Sequence, residues 1–412
     1  MNLLIRILVV SLVIAISDIY FYRLLKNLFI KNEKQKRALK IVVIGLTILF
    51  ILFEGGCYLV VGAPLDDPIK YRQLFAPLSV FILVYIPKAA AALLLIIFDI
   101  VRFFSSFFGR KRNNAKEKKP RHPLYVAALL LLLVVLGFCV YGFTFEKTHV
   151  KIQKEEFYFS QLPKSFEGFR IVQIADLHLG TFTDVAIVKG YLKTIHDLSP
   201  DMLVMTGDMI NVTDTELAPY QEDFKAINPP YGKYAIMGNH DIGDYFKIKD
   251  PPNLEVITGN LIRREKETGF IVLIDSSCYI YKDGDSIALV GVNNFGMFPF
   301  KKTGNLKKAL SYTGDSDFKI LLTHDPNHWD MEVRDKTNIQ MTLSGHTHAM
   351  QLAIVAKYFR FSPSQFINKY WYGAYGSENQ KLYVNPGLGY SGFHGRIGTR
   401  PEITEIVLHH TK

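Results

Sequence analysis

The sequence has few cysteines, and their positions limit the chemistry that they can perform. Only three of the 412 residues are cysteine, and two of them, Cys57 and Cys139, lie inside apolar runs. Cys278 alone falls in the polar half of the chain. A single thiol there excludes a disulfide within that half and a metal site made of cysteines.

The chain also lacks a broad basic surface, although its formal net charge is +10. Two short segments, Lys26–Lys40 and Ser105–Pro123, carry six and seven basic residues respectively, with one acid each. They account for a net charge of +11, which leaves −1 for the rest of the chain. Positive charge clustered beside apolar segments is typical of membrane topology, and we expect no nucleic-acid partner.

Long apolar runs occupy the first third of the chain. A bilayer core about 30 Å thick needs roughly 20 apolar residues per helix. Four segments are long enough: Asn2–Leu25, Ile41–Gly62, Leu74–Phe104 and Leu124–Phe145. We therefore predict a membrane region with four transmembrane helices over residues 1–145, a linker leading into the next domain over 146–168, and that domain over 169–412. A cleaved signal peptide ending near Ser17 is the alternative for the first segment.

The charge of the short loops predicts which side of the membrane each segment occupies. The two basic segments belong on the cytoplasmic side, which places the N-terminus outside and makes the fourth helix run outward. The domain over 169–412 is then extracytoplasmic. Inside the spans, Glu54 and Lys88 lie on adjacent antiparallel helices, where they could pair.

In the second half of the chain, short apolar strands repeatedly end in Asp, Asn or His. The first is Ile171–Gly180, with the sequence IVQIADLHLG, and four later strands end in the same way. Open α/β sheets build their sites at the carboxyl ends of their strands. The side chains expected to converge there are Asp176, His178, Asp208, Asn239, His240, His324, His346 and His348.

The chemistry of this set predicts a metal centre. Carboxylates mixed with imidazoles, without thiolates, suit Mn, Fe, Zn or Co and do not suit a calcium cage. The set is larger than one first-row ion needs. It suits two divalent metal ions about 3.5–4 Å apart that share one carboxylate.

These motifs, in this order, resemble the calcineurin-like metallophosphoesterase superfamily. Its signature is matched at Asp176/His178, Gly207-Asp208, Gly238–Asp241, His324 and Gly345–His348. The chain is most similar to the membrane-associated bacterial branch, predicted phosphohydrolases with N-terminal transmembrane helices whose domain ends in a Gly-Leu-Gly…Arg…Pro-Glu-Ile stretch. Here that stretch is Gly387–Gly389, Arg396 and Pro401–Ile403. One departure is Asn at position 211, where the family often has Asp.

The resemblance implies a fold and a set of residue roles. The fold is an N-terminal α-helical transmembrane region plus an α/β four-layer (α/β/β/α) sandwich. One metal would be held by Asp176, His178, Asp208 and His348, and the second by Asp208, Asn239, His324 and His346. A hydroxide shared by the metals attacks phosphorus, while the catalytic His240, oriented by Asp241, protonates the leaving oxygen or stabilises charge. Arg396 is expected to bind substrate.

The expected function is hydrolysis of a phosphomonoester or phosphodiester by a membrane-anchored enzyme, with a lipid-linked phosphate as a candidate substrate. The segments Asn293–Lys302 and Tyr358–Tyr372 mix aromatic and basic residues, which favours contact with lipid head groups. One alternative is a UDP-2,3-diacylglucosamine-type pyrophosphohydrolase of lipid A synthesis. The other is a non-catalytic metal-binding membrane scaffold. The oligomeric state and the metal identity stay open.

Overall fold

The computed structural model describes residues 3–60, 68–108, 122–243, 252–297, 300–315, 317–356 and 359–411. The chain forms two compact units. The first contains Met1–Gly62 and Leu74–Tyr141, and the second contains Ala63–Gln73 and Gly142–Lys412. The short segment Ala63–Gln73, which the sequence places between two apolar helices, therefore groups with the second unit.

The N-terminal part of the chain is helical. Its helices are α1 (Leu3–Phe29), α2 (Glu33–Val60), α3 (Pro68–Phe108) and α4 (His122–Thr144). Among the described residues, three stretches are long and apolar enough to cross a membrane: Leu8–Phe29, Tyr71–Ser105 and His122–Thr148. The described part of α2 does not meet the same criterion. The protein is a membrane protein with an α-helical transmembrane region, as predicted.

The polar side chains inside the first unit pair with one another. Lys88 of α3 contacts Asp18 of α1 at 2.7 Å, and Asp18 also accepts hydrogen bonds from Tyr85 and Thr47. A charge within a bilayer is expensive unless it has such partners. The observed partner of Lys88 is Asp18. The predicted pairing of Lys88 with Glu54 stays a prediction, because the side chain of Glu54 lies outside the described residues.

The second unit is built from two six-stranded sheets and a short hairpin. The sheets have the strand orders β1-β14-β2-β3-β4-β5 and β12-β13-β9-β8-β7-β6, and β10 pairs with β11. The strands are β1 (Lys151–Phe159), β2 (Phe169–Ile174), β3 (Met202–Met205), β4 (Lys233–Ala235), β5 (Phe270–Val272), β6 (Ser276–Lys282), β7 (Asp285–Gly291), β8 (Lys319–Leu322), β9 (Met341–Ser344), β10 (Ile354–Ala356), β11 (Phe359–Phe361), β12 (Gly373–Gly376), β13 (Lys381–Val384) and β14 (Glu402–His410). The helices are α5 (Val185–Leu198), α6 (Gln221–Ala226), α7 (Pro252–Glu267) and α8 (Leu306–Leu310).

Three apolar clusters show how the sheets and helices are layered. Ile171 of β2 and Leu322 of β8 belong to the cluster between the two sheets. Val172, the next residue along β2, belongs instead to the cluster that contains α5, and Leu321 packs with Trp329 in a third cluster. Because successive side chains of a strand point to opposite faces, the order of layers is helix, sheet, sheet, helix. The predicted α/β/β/α sandwich is confirmed.

Helix α5 illustrates how the local sequence forms the outer layer. The side chain of Asp184 accepts a hydrogen bond from the Ala186 amide at 2.9 Å, so the helix begins with a side-chain cap. Val188, Leu192 and Ile195 recur at the helical spacing and are buried. Capping and apolar spacing together fix which face of α5 covers the first sheet.

The region predicted as a linker contains a strand. β1 pairs in parallel with β14 along nine residues, from Lys151 with Glu402 to Phe159 with His410. The prediction of a linker over this region is corrected by that pairing. The strand KIQKEEFYF lies at a sheet edge, where charged side chains are tolerated and block further pairing. The sequence did not predict this strand, because its many charged residues interrupt the apolar pattern that is typical of a strand.

Candidate metal centre

Parallel pairing brings the predicted strand ends to one edge of the molecule's second unit. β2, β3 and β4 are mutually parallel neighbours, and so are β8 and β9 in the other sheet. Beyond the strands the loops remain joined, since the Asp176 amide donates to Gly207 O at 2.9 Å and the Gly345 amide to His324 O at 3.0 Å. The motifs of the two sheets therefore face one another.

Several candidate ligands have a left-handed backbone. Positive φ angles occur at Asp176 (49°), His178 (46°), Asp208 (58°), His346 (74°) and His348 (49°). Such angles are uncommon in residues other than glycine and concentrate at functional sites. Gly207 precedes one of them, and a Cβ there would lie 2.7 Å from both the Gly238 amide nitrogen and His324 Nδ1. This glycine permits the close approach of the loops.

A first group of ligand atoms surrounds His348. Its Nε2 lies 3.0 Å from His178 Nε2 and 3.3 Å from Asp176 Oδ1. Asp208 Oδ2 is 3.7 Å from His178 Nε2. The four residues predicted for the first metal are thus brought together, and all of them are buried.

A second group surrounds His324. Its Nε2 lies 3.2 Å from Asp208 Oδ2, 3.1 Å from Asn239 Oδ1 and 3.2 Å from His346 Nδ1. These are the four residues predicted for the second metal. Asp208 Oδ2 contacts both groups, which is the position that a bridging carboxylate requires.

The hydrogen bonding of His324 tests whether a cation fits. Its Nδ1 donates to the carbonyl of Thr206 at 2.8 Å, so in the neutral ring Nε2 carries a lone pair. That lone pair faces Asn239 Oδ1 and Asp208 Oδ2, which are also acceptors. Acceptors converging at about 3 Å repel one another unless a proton or a metal ion lies among them. The donor set therefore fits divalent metal ions.

The pKa values of these groups reflect the same concentration of charge. Burial lowers the pKa of His178 to about 3. Burial also lowers the pKa of His324, but Asp208 and Asp176 outweigh that effect and raise it to about 10. Burial raises the pKa of Asp176 to about 7. A positive charge at His324 offsets the two carboxylates in the same way that a bound cation would.

His240 lies beside these groups and is held by main-chain contacts. Its Nδ1 donates to the carbonyl of Asn211 at 3.1 Å, and its amide donates to Asp208 Oδ1 at 2.9 Å. Its ring meets that of His178 edge to face, with 4.6 Å between centroids. A nitrogen of His240 also lies within 4.8 Å of ligand atoms of His178 and Asp208, so distance alone does not separate an acid from a further ligand.

The side chain of Asp241 contacts the loop that carries Asp208. Its Oδ2 accepts from the amides of Asp208 and Gly238 at 2.7 and 2.9 Å, and its Oδ1 accepts from the Ile210 amide at 3.2 Å. Asp241 thus orients the loop that carries Asp208, and His240 Nδ1 donates to Asn211 O. A carbonyl group has no side-chain signature, so the sequence offered no signal for this contact.

Arg396 is fully buried beside the site. Its Nε donates to Gly389 O at 3.0 Å, and one terminal nitrogen donates to Pro386 O and Gly387 O at 2.9 and 3.0 Å. Burial lowers its pKa to about 10. These contacts hold the loop that packs against Asp176, and they give no support to the predicted binding of substrate.

The two aromatic segments differ in exposure. Phe295 is buried and stacks on His328 with 4.0 Å between ring centroids, so its expected contact with lipid is wrong. Phe300 meets the His346 ring edge to face at 5.4 Å. In the second segment, Trp371 and Tyr372 are buried, but the neighbouring β10–β11 hairpin exposes its apolar side chains. Tyr358 lies outside the described residues.

A sandwich of two sheets with Asp, Asn and His side chains gathered at its strand ends defines an α/β protein with a candidate dinuclear metal centre. A model of the calcineurin-like phosphoesterase family matches residues 169–350. A second model, described as "Probable Calcineurin-like phosphoesterase, transmembrane domain", matches residues 1–147. The chain belongs to the calcineurin-like phosphoesterase family.

Relatives in animals and bacteria share this combination or its catalytic part. The chain is 31% identical over 263 residues to the metallophosphoesterase YkuE of Bacillus subtilis, covering 61% of this chain and 83% of that protein. It is 29% identical over 277 residues to a transmembrane protein with metallophosphoesterase domain of Danio rerio, covering 65% of this chain and 60% of that protein. It is 27% identical over 275 residues to UDP-2,3-diacylglucosamine pyrophosphatase LpxG of Chlamydia muridarum, covering 56% and 81% respectively.

Proposed function

We propose that this protein is a metal-dependent phosphohydrolase anchored in a membrane. The observation that carries the proposal is the convergence of seven predicted ligands in two groups that share Asp208, with His240 beside them. Carboxylate-bridged pairs of divalent ions are typical of phosphoester hydrolysis. The activity, the substrate class and the roles of the residues that would hold the metal ions are parts of this proposal.

The ligand assignment follows the two groups of atoms. Asp176, His178, Asp208 and His348 would hold one ion, and Asp208, Asn239, His324 and His346 the other. When bound, the two ions supply an activated water and neutralise charge on the phosphoryl group. Asp241 keeps the bridging Asp208 in place through three backbone amides.

His240 would supply the proton. Because its Nδ1 hydrogen is held by Asn211 O, the proton that it can transfer is on Nε2. As the bond from phosphorus to the leaving oxygen breaks, the electron pair stays on that oxygen and accepts this proton. Burial lowers the pKa of His240 and Asp208 raises it, with a net lowering. The negative charge of a phosphate ester acts in the same direction as Asp208 and favours the protonated ring.

A lipid-linked phosphate is the substrate class that the exposed surface favours. Phe359 and Phe366 are 58% and 78% exposed, and Ile354 and Ile367 are also exposed near them. Exposed apolar rings with nearby basic residues, here Arg360 and Lys369, are suited to the interface of a bilayer. The distribution of basic loops supports an extracytoplasmic position for the domain.

A nucleotide-linked lipid is the second candidate, and the similarity to the LpxG protein favours it. Hydrolysis of a UDP-2,3-diacylglucosamine-type pyrophosphate would use the same ligands and the same acid. Its nucleotide substrate would have to reach the domain from the cytoplasm, which the charge of the loops opposes.

The function can be tested on the full chain purified in detergent. After removal of metal with a chelator and addition of Mn²⁺, we expect hydrolysis of bis(4-nitrophenyl) phosphate. Asp208→Asn should abolish both activity and tight metal binding, because both ions lose their shared charge. His240→Ala is the matched variant: it should keep both ions by elemental analysis and lose about 10²–10⁴-fold in kcat.

Each variant has a result that contradicts part of the proposal. Near-normal turnover in Asp208→Asn would exclude the two-metal site. Loss of metal in His240→Ala would make His240 a ligand instead of an acid. A wild-type protein that binds metal but hydrolyses no phosphate ester would leave the non-catalytic scaffold as the function.

A further inference from the structure

The first turn of α3 contributes a side chain to the neighbourhood of the proposed acid. Tyr71, in the first turn of α3, is 2% exposed. Its ring meets the imidazole of His240 edge to face, with 5.9 Å between centroids and an interplanar angle of 89°. His178 contacts His240 in the same perpendicular manner. The imidazole is therefore bordered by two rings.

Tyr71 is itself fixed by hydrogen bonds that lead to the metal centre. Its hydroxyl shares a hydrogen bond of 2.8 Å with Ser391 Oγ. The Ser391 amide donates to Gln351 Oε1 at 2.6 Å, and Gln351 is buried at the end of the turn that begins at His348. The position of Tyr71 is thus coupled to the turn that carries a proposed ligand.

A neighbouring residue anchors the same segment. Arg72 donates to Phe182 O at 3.4 Å, a carbonyl in the loop after β2. Residues Ala63–Gln73 accordingly group with the catalytic unit and not with the apolar helices. The sequence suggested only a connection between two membrane spans, yet the described part of this segment packs on the second unit.

We propose that Tyr71 is a positioning residue for His240, so that the first turn of α3 contributes to the site. This inference rests on the proposed function, because it needs His240 to act as an acid. The Tyr71 ring limits rotation of the imidazole and keeps water from that side of it. Proton delivery from Nε2 to the leaving oxygen then occurs from one fixed geometry.

The leaving group distinguishes this role from a structural one. A 4-nitrophenolate leaves readily without a proton, whereas an unsubstituted phenolate is more basic and depends on the acid. A residue that acts through His240 affects mainly the second ester. A residue that only stabilises the fold affects both esters equally.

The experiment uses the full chain in detergent with Mn²⁺ and two phosphodiesters, one with a 4-nitrophenyl and one with a phenyl leaving group. For Tyr71→Ala we expect kcat on the phenyl ester to fall about tenfold or more. On the nitrophenyl ester we expect a loss of about threefold at most, with unchanged KM and metal content. Tyr71→Phe keeps the ring and should retain most of the activity on both esters.

Controls separate the ring contact from general destabilisation. Phe393→Ala removes another buried ring of the second unit, one that packs on Phe143, and it should show no dependence on leaving group. In the double variant Tyr71→Ala/His240→Ala, the loss should equal that of His240→Ala alone, because both changes remove the same proton transfer. Where Tyr71→Ala does not fold, Tyr71→Leu provides the same comparison.

Equal losses on the two esters, or an additional loss in the double variant, would overturn the positioning role while leaving the proposed function intact. Failure of Tyr71→Phe to retain activity would also overturn it. If the wild-type protein with bound metal hydrolyses neither ester, the proposed function itself fails, and this inference fails with it.

Discussion

In both His324 and His240 the hydrogen bond from Nδ1 to a main-chain carbonyl leaves Nε2 for the role that we propose for each ring. His324 donates from Nδ1 to Thr206 O, which turns Nε2 toward the acceptors of the second ligand group. His240 donates from Nδ1 to Asn211 O, which leaves Nε2 for proton transfer. The Asp-to-Asn departure at position 211 preserves this bond, because the acceptor is a main-chain carbonyl.

His328 has a structural role, and it predicts how stability depends on pH. It stacks on Phe295 and shares a hydrogen bond with Thr323 Oγ1. Burial lowers its pKa to about 4, while an unfolded histidine titrates near 6.5. The unfolded chain therefore binds more protons between these values, and stability falls as the pH drops from about 6.5 to 4.

We expect His328→Gln to reduce this loss. At pH 5 the wild type should lose on the order of 2 kcal/mol through this residue relative to pH 7.5, and the variant should lose correspondingly less. The measurement is the decrease in Tm between the two pH values, with the exposed His196→Gln as control. The same decrease in wild type and His328→Gln would show that His328 is not responsible.

At the scale of elements, the β10–β11 hairpin is unusual because it carries apolar residues outward. All six residues of its two strands are exposed, and Phe366 and Ile367 follow in an exposed turn. The other aromatic segment, Asn293–Lys302, places Phe295 in the interior instead. The proposed lipid contact is therefore tested on the hairpin, whose apolar side chains are exposed.

Replacing Phe359 and Phe366 together with Ser tests this surface. Hydrolysis of a small soluble ester should stay within about twofold of wild type, since neither residue is at the metal centre. Hydrolysis of a phosphate presented in vesicles should fall about tenfold or more, because the apolar contact with the interface is lost. Tyr312→Ser removes an exposed ring elsewhere and serves as control. Equal activity of the double variant on both substrates would argue against lipid docking by the hairpin.

At the scale of the whole molecule, the distribution of charge predicts the orientation. A reporter fused after Lys412 should be active only in an extracytoplasmic form, and a reporter placed within residues 109–121 only in a cytoplasmic form. Both follow from the cytoplasmic preference of basic loops. A cytoplasmic C-terminus would instead favour the nucleotide-linked lipid as substrate. The internal reporter serves as the control, since a single span, α4, separates it from Lys412 and places the two reporters on opposite sides.

The predicted parts of this protein depend on local signals. Apolar runs predicted the membrane helices, because a run of roughly 20 apolar residues is long enough to cross the core of a bilayer. Asp176, Asp208 and His324 were identified because each follows a short buried strand, and parallel pairing brings such ends to one edge. The identity of the side chain and its place after a strand were enough to predict their convergence.

Amino-acid sequence alone thus determined the layers of the fold, the membrane region and the set of candidate ligands. Tertiary structure alone decided that β1 pairs with β14 and that Tyr71 packs on His240. It also decided that Asn211 O accepts a hydrogen bond from His240 and that Arg396 donates to the carbonyls of a loop. The physical reason is the separation along the sequence of the groups that interact. Periodicity and capping act over a few residues, whereas these contacts join main-chain groups and side chains from distant parts of the chain, and only packing brings them together.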